Sequence, residues 1–272
     1  MPAPRVAVIA PLTGPRAAWG AVLLRELARV RAARPGAADW HVHDETPDVA
    51  ATVVGLGYTA VLGHSDPAIT VRARKTYQAA GLPSLLPFVH AGPPALSWAP
   101  DDVALASTIV LAAAALGTGL TVVRDDGPYW AALADRVTAE ARATGLGPDG
   151  VPAVLAPQER FSALRPPTAG PVLALAECGL ASFSALRDAA ADQDVWAVHP
   201  HTCAPRRAWT AATALAQALE TALSGPALTT AIRARSAALL AARGGILGEA
   251  WRVSRVREVC VPGRSCTRWT RP

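Results

Sequence analysis

The apolar positions fall into short unbroken runs separated by longer stretches with helical spacing. The run over 6–10 (Val-Ala-Val-Ile-Ala) reads as a buried strand, and Pro11 to Pro15 as a loop. Apolar residues at Val22, Leu23, Leu27 and Val30 then predict a helix over 17–34, stopped by Pro35-Gly36. The same alternation continues, with strands at 40–43, 60–63 and 84–86 and helices at 48–56 and 67–80. It restarts after Asp101-Asp102, which suit a helix N-terminus. A buried helix follows within 103–120, then strands at 120–123, 151–155, 172–176 and 195–198. Helices are expected at 129–144, 161–164, 181–191, 209–223 and 229–242, and a hairpin at 251–261 before an arginine-rich tail.

Strand-helix-strand units of this kind build a parallel sheet covered by helices on both faces. The chain therefore predicts an α/β protein of two halves, with a proline-rich connection (Pro87, Pro93, Pro94 and Pro100) between them. At 272 residues, with 51% hydrophobic and 17% charged positions, it is long and apolar enough for sizeable cores, and disorder is excluded. The net charge is +5, carried almost wholly by arginine, with Lys75 the single lysine. Arginine in place of lysine and abundant alanine fit GC-rich coding, so the charge does not point to nucleic acid, and no such partner is expected.

The first apolar run is too short for a signal-peptide core, and the longest stretch, 103–120, is interrupted by Ser107, Thr108, Gly117 and Thr118. The expectation is a protein without membrane insertion, cytoplasmic as the sequence stands and extracytoplasmic if a leader precedes it. The four cysteines (Cys178, Cys203, Cys260 and Cys266) match no zinc spacing. Cys260 and Cys266 flank a turn, and the cytoplasmic reading leaves them as free thiols. A nucleophile elbow, a phosphate-binding loop, a dinucleotide fingerprint and a His-Glu-x-x-His motif are all absent from the sequence.

Four segments, in order, resemble the branched-chain amino-acid or amide-binding type of type I periplasmic binding protein. They are Val6 to Pro15 with Ala18-Trp19-Gly20, then Ala60 to His64 continuing to Tyr77-Gln78-Ala79-Ala80-Gly81-Leu82-Pro83. Trp98-Ala99-Pro100-Asp101-Asp102 and Val122 to Trp130 complete the set. The resemblance spans residues 5–225, in a chain shorter than the usual members and without their leader. It implies a clamshell: two parallel-sheet α/β lobes, residues 1–102 plus 203–247 and residues 103–202 plus 248–272, joined by three hinge crossings. Ligand would lie in the cleft, beyond the carboxyl ends of the strands.

Strand ends then give the candidate ligand residues. Trp19 stands where the family has a tyrosine; it either stacks on ligand or packs as an interface residue. His64, Ser65 and Asp66 follow the third strand. The family's carboxylate-binding Ser/Thr positions fall a little later, here at Pro67 and Ala68, which lack a hydroxyl. Phe88 and His90 follow the fourth strand. Tyr129 matches the family's tyrosine in the second lobe, Glu177 ends a strand there, and His199 and His201 follow another, with Cys203 nearby. These histidines are candidates for a transition-metal site, but the reading adopted is hydrogen bonding to an organic ligand, with no metal and no cofactor. His41 and His43 lie on the second strand, one of them facing either the cleft or solvent.

The function expected is non-catalytic binding of a small polar organic ligand, amino-acid- or amide-like, as a solute-binding protein or a cytoplasmic sensor. The alternative is an enzyme on the same scaffold, using His90, His201 and Glu177 for acid–base chemistry. A transport or regulatory protein is the expected partner, and the alanine-rich helices of the first lobe are the candidate face for a homodimer.

Overall fold

The computed structural model describes residues 3–117, 119–176, 186–221, 223–242 and 251–256. Its two compact units are each assembled from two chain segments: Met1–Ala99 with Ala204–Glu249, and Pro100–Cys203 with Ala250–Pro272.

In the first unit the strands are β1 (Arg5–Ala10), β2 (Asp39–Asp44), β3 (Ala60–Gly63), β4 (Ser84–Leu86) and β5 (Leu96–Ser97). They form one parallel sheet in the order β2-β1-β3-β4-β5. The central strands β1, β3 and β4 are apolar on both faces because helices cover both, as parallel sheets require. Between the strands run α1 (Ala17–Ala33), α2 (Val49–Gly55) and α3 (Pro67–Ala79). Two later helices, α7 (Ala204–Leu219) and α8 (Gly225–Ala241), complete this unit. The buried stripe of α1 is Trp19, Leu23, Leu27 and Val30, at helical spacing, and α7 packs between α1 and α8. Arg34 donates to both carboxylate oxygens of Glu220 at 2.8 and 2.7 Å, tying the ends of α1 and α7.

Two glycines set how closely these elements meet. A Cβ on Gly20 would lie 2.1 Å from the Pro11 carbonyl oxygen, so only glycine lets α1 settle against the end of β1. Gly63, at φ +134°, would place a Cβ 2.0 Å from the Ile9 carbonyl oxygen. Asp66 caps α3 by accepting from the Ala68 and Ile69 amides at 2.8 and 3.0 Å, and Pro67 takes the first helical position, where no N–H is needed.

The second unit contains α4 (Asp102–Leu116), β6 (Gly119–Arg124), α5 (Pro128–Ala143), β7 (Gly147–Leu155), α6 (Phe161–Leu164), β8 (Pro171–Leu175), β9 (Asp194–Pro200) and β10 (Trp251–Arg255). Its sheet order is β10-β9-β8-β7-β6, parallel except for β10, which pairs antiparallel with β9. Asp101 caps α4 through the Ala104 amide at 2.7 Å. One core packs α4 and α5 on the sheet around Leu105, Ile109, Leu133 and Val137; a second lies around Phe161, Val172 and Leu186. The strand expected at the start of the 251–261 hairpin is present but pairs with β9, and 257–261 lie outside the described residues. Residues 181–185 of the helix expected over 181–191, together with Cys178, Cys260 and Cys266, also fall outside them, and 186–189 are helical. Among the described residues, no helix is long and apolar enough to cross a membrane.

Candidate functional site

Strand order reverses in the first sheet at β1, which lies between β2 and β3. In open α/β sheets the carboxyl ends beside such a reversal form the usual ligand crevice. Here that place is occupied by a polar network built on Glu45, which follows β2. The Glu45 carboxylate accepts from the Ser65 amide (2.9 Å to Oε1, 3.1 Å to Oε2), the Ser65 hydroxyl (2.6 Å), the Asp66 amide (3.1 Å) and His64 Nδ1 (3.0 Å). Because a carboxylate only accepts, His64 Nδ1 carries a proton and donates to Glu45, while Nε2 lies 3.0 Å from the Tyr77 hydroxyl. Side-chain exposure is 2% for Glu45 and 0% for His64. Burial alone works to raise the Glu45 carboxyl, but the hydrogen bond and charge of His64, with the Ser65 and Asp66 bonds, outweigh it and hold the pKa below the ordinary value. Burial, then the Glu45 charge, pushes the Tyr77 phenol above its usual range, so it stays protonated. His64 is the one non-glycine described residue at positive φ (75°), a strained backbone that this network holds in place. Arg16 closes the side of the network, donating to the Ser65 carbonyl at 2.5 Å with its Nε 4.0 Å from Asp66.

Two of the expected ligand residues after β3, His64 and Ser65, are therefore turned inward. Ser65 is fully buried and spends both its amide and its hydroxyl on Glu45, while Asp66 is committed to the cap of α3. Trp19 and Phe88 pack edge to face, with ring centroids 5.5 Å apart and planes at 82°. Both are almost fully buried, and the Trp19 Nε1 has no hydrogen-bond partner among the described residues. His90 is half-buried and its Nδ1 lies 3.4 Å from the Ala99 carbonyl. On β2, His41 pairs with Asp39 at 2.7 Å and His43 with the Tyr58 hydroxyl at 2.9 Å.

In the second unit Tyr129 opens α5, is partly exposed, and donates to Asp102 Oδ1 at 3.2 Å. His199, at the end of β9, is buried with Nδ1 3.0 Å from the Pro200 carbonyl and Nε2 3.0 Å from the Ser254 hydroxyl on β10. His201 is half-buried, and its buried Nδ1 has no hydrogen-bond partner among the described residues. Cys203 is half-buried. Glu177 lies outside the described residues. Among the described residues, no group of three or more His, Cys, Asp or Glu side chains is placed to hold a metal ion.

Sequence reasoning missed Glu45, the hub of the network. It stands in Asp44-Glu45-Thr46-Pro47, which reads as a solvated loop, and its partners lie 19 to 21 residues further on. It also missed Trp98 as a cavity wall; the residue lines a hollow of about 410 Å³ with His90, Leu96, Ile232 and Ser236.

Two α/β units with these sheets define the fold of the type I periplasmic binding proteins, as the sequence motifs implied. Solved structures of the branched-chain amino-acid type share it. The substrate-binding protein LivJ of Streptococcus pneumoniae, in complex with isoleucine, is 12% identical at TM-score 0.62, over 85% of this chain and 87% of that one. An ABC transporter substrate-binding protein from Desulfitobacterium hafniense, in complex with Leu, is 14% identical at TM-score 0.63, over 96% of this chain and 98% of that one. A solute-binding protein from R. palustris, in complex with benzoate, is 15% identical at TM-score 0.56, over 87% and 86%. No family model and no curated protein matches the chain.

Proposed function

We propose that this protein is a non-catalytic receptor for a small polar organic molecule, amino-acid- or amide-like. It acts as a solute-binding protein or as a cytoplasmic sensor of the same fold, passing its liganded state to a transport or regulatory protein. The observation that carries the reading is the fold, shared over 85% or more of this chain with proteins solved around isoleucine, leucine and benzoate. This reading places the ligand residues at strand ends, where His90 and Tyr129 are partly exposed polar groups. The Glu45 network refines the ligand class. The donors of the β3–α3 turn are already taken by a resident carboxylate, so the turn has nothing to give a ligand carboxylate, and an amide-like end suits it better. The same burial argues against chemistry at this turn: the Ser65 hydroxyl is inaccessible, and the Glu45 carboxylate it donates to is a weakened base because its pKa is held below the ordinary value.

The test is isothermal titration calorimetry of the full chain against L-amino acids, their primary amides and short aliphatic amides. Saturable binding by a member of this set, with the ligand recovered unchanged, supports the reading. Absence of heat from every member, with circular dichroism reporting folded protein, would sink it, as would recovery of a converted product.

A further inference from the structure

The first unit holds a second hollow, of about 480 Å³, that none of the roles above uses. That volume lies within the range of small-molecule sites. Ser84 lines it and opens β4, so the hollow lies at the amino end of that strand, whereas the ligand residues proposed above follow the carboxyl ends of theirs. One wall is the end of α3 and the chain after it, with Arg74, Gln78, Leu82 and Ser84. The other is the first turns of α8, with Pro226, Thr229, Thr230 and Arg233. Among the described residues, no acidic side chain lines it.

Its charge is one-sided. Helix α3 carries Arg72, Arg74 and Lys75, α8 carries Arg233 and Arg235, and neither helix has an acidic residue within its span. Arg74 donates from Nη1 to the Ala91 carbonyl, with the Pro93 carbonyl 3.5 Å away. Its Nε is sealed from solvent, but Nη2 is not, and Nη2 bonds to no described residue. Arg233 is exposed and pairs with no described carboxylate. Ser84 is only 6% exposed, yet its hydroxyl, unlike those of Thr213 and Ser236, is not sealed, and it bonds to no described residue. Thr229 and Thr230 donate to the Gly225 and Pro226 carbonyls at 3.2 and 3.0 Å, so their hydroxyl protons hold the first turn of α8 and not a ligand.

Two guanidiniums on the walls of one hollow repel each other, and an anion between them turns that repulsion into attraction. The start of α8 adds the positive end of its dipole. What the walls offer a guest is therefore donors: Arg74 Nη2, the Arg233 guanidinium, the Ser84 hydroxyl and the Gln78 amide. Guanidinium forks fit the oxygens of a phosphate, and their two charges match its dianion. The hollow is roomier than phosphate alone needs, and Leu82, Pro83, Pro94 and Pro226 give it apolar faces. We infer that it is a binding site for a small phosphomonoester. The phosphoryl oxygens accept from Arg74 Nη2, Arg233 and Ser84 Oγ, and the organic body lies against Leu82 and the prolines. The site is complete within the first unit and shares no residue with the strand-end ligand set.

The test titrates phenyl phosphate, inorganic phosphate, benzoate and benzyl alcohol into the full chain by calorimetry at neutral pH. Expected are saturable binding of phenyl phosphate, weaker binding of inorganic phosphate and of benzoate, and none of benzyl alcohol, with the phosphate affinities falling as salt rises. Arg233→Gln and Ser84→Ala should each weaken phenyl phosphate about tenfold or more, the loss expected for a hydrogen bond to a charged group. Neither side chain bonds to a described residue, so both variants should melt, unliganded, where wild type does. Arg74→Gln should weaken binding as much and also lower the melting temperature, because its Nη1 holds the Ala91 carbonyl. Tyr129→Phe should leave phenyl phosphate binding unchanged. Four results would overturn the inference: no saturable binding of phenyl phosphate to folded wild type; wild-type affinity in both Arg233→Gln and Ser84→Ala; benzoate or inorganic phosphate bound as tightly as phenyl phosphate; or binding that responds to Tyr129→Phe and ignores Arg233→Gln, which assigns the probe to the strand ends.

Discussion

Replacing Glu45 by alanine strips four donors of their acceptor at once: the Ser65 amide and hydroxyl, the Asp66 amide and His64 Nδ1. Each buried donor left unmade costs about 1–3 kcal/mol. The costs do not add in full, because the shortened side chain leaves room for water to reach some of the donors. A net loss of about 3–5 kcal/mol is expected, at the upper end of single substitutions and in keeping with the breaking of a buried network. For a chain of this size about 1 kcal/mol moves the melting temperature by roughly 2–4 °C, so the alanine variant should melt about 10 °C lower. Glu45→Gln retains the shape and one acceptor oxygen but presents an NH₂ to a turn made of donors; about 2 kcal/mol is expected for it. The assay is urea unfolding followed by circular dichroism, read as a shift in midpoint at constant slope. A loss below about 1 kcal/mol for the alanine variant would refute the reasoning, since Glu45 would then be an ordinary loop carboxylate.

The lowered Glu45 pKa gives a pH signature. A carboxyl whose folded pKa lies below its unfolded value of 4.5 adds stability above that pH and loses it as pH falls through the folded value. Wild type should therefore weaken on acidification below about pH 5 more steeply than Glu45→Gln, and parallel pH profiles of the urea midpoint would contradict this. Gly20→Ala forces a Cβ to within 2.1 Å of the Pro11 carbonyl oxygen and should cost about 1–3 kcal/mol or more by pushing α1 off β1; an unchanged melting temperature would show that the close approach does not matter. Tyr129→Phe removes one partly exposed bond to Asp102, so stability should fall by less than about 1 kcal/mol while calorimetry shows weaker binding of whatever ligand the protein takes.

Much of the fold was legible because parallel strands buried on both faces leave unbroken apolar runs. β3 and β4 begin and end where those runs do, and α3 starts at Pro67 behind its Asp66 cap. The strand β5 escaped notice because Leu96–Ser97 is two residues long and lies beyond a proline pair, too short to show a period. Helix α7 begins at Ala204, not at Trp209, because Pro205 reads as a breaker although a first-turn proline is permitted. The second sheet runs in chain order with no reversal around its first strand, so the crevice argument belongs to the first unit alone.

The candidate site was less legible. The sequence places His64, Ser65 and Asp66 correctly behind β3, but strand position says nothing about whether a side chain turns outward or in. The inward turn of His64 and Ser65 depends on Glu45, brought beside them only by the pairing of β1 with both β2 and β3. Asp66 carried its own clue, since an aspartate directly before a helix-opening proline is a cap before it is a ligand.

Native mass spectrometry of the full chain after incubation with a pooled set of amino acids and amides tests the proposed function most directly. The account predicts one retained small molecule at one-to-one stoichiometry, released by denaturation with its mass unchanged. A bare protein peak under conditions that keep the chain folded, or release of a molecule whose mass has changed, would contradict it.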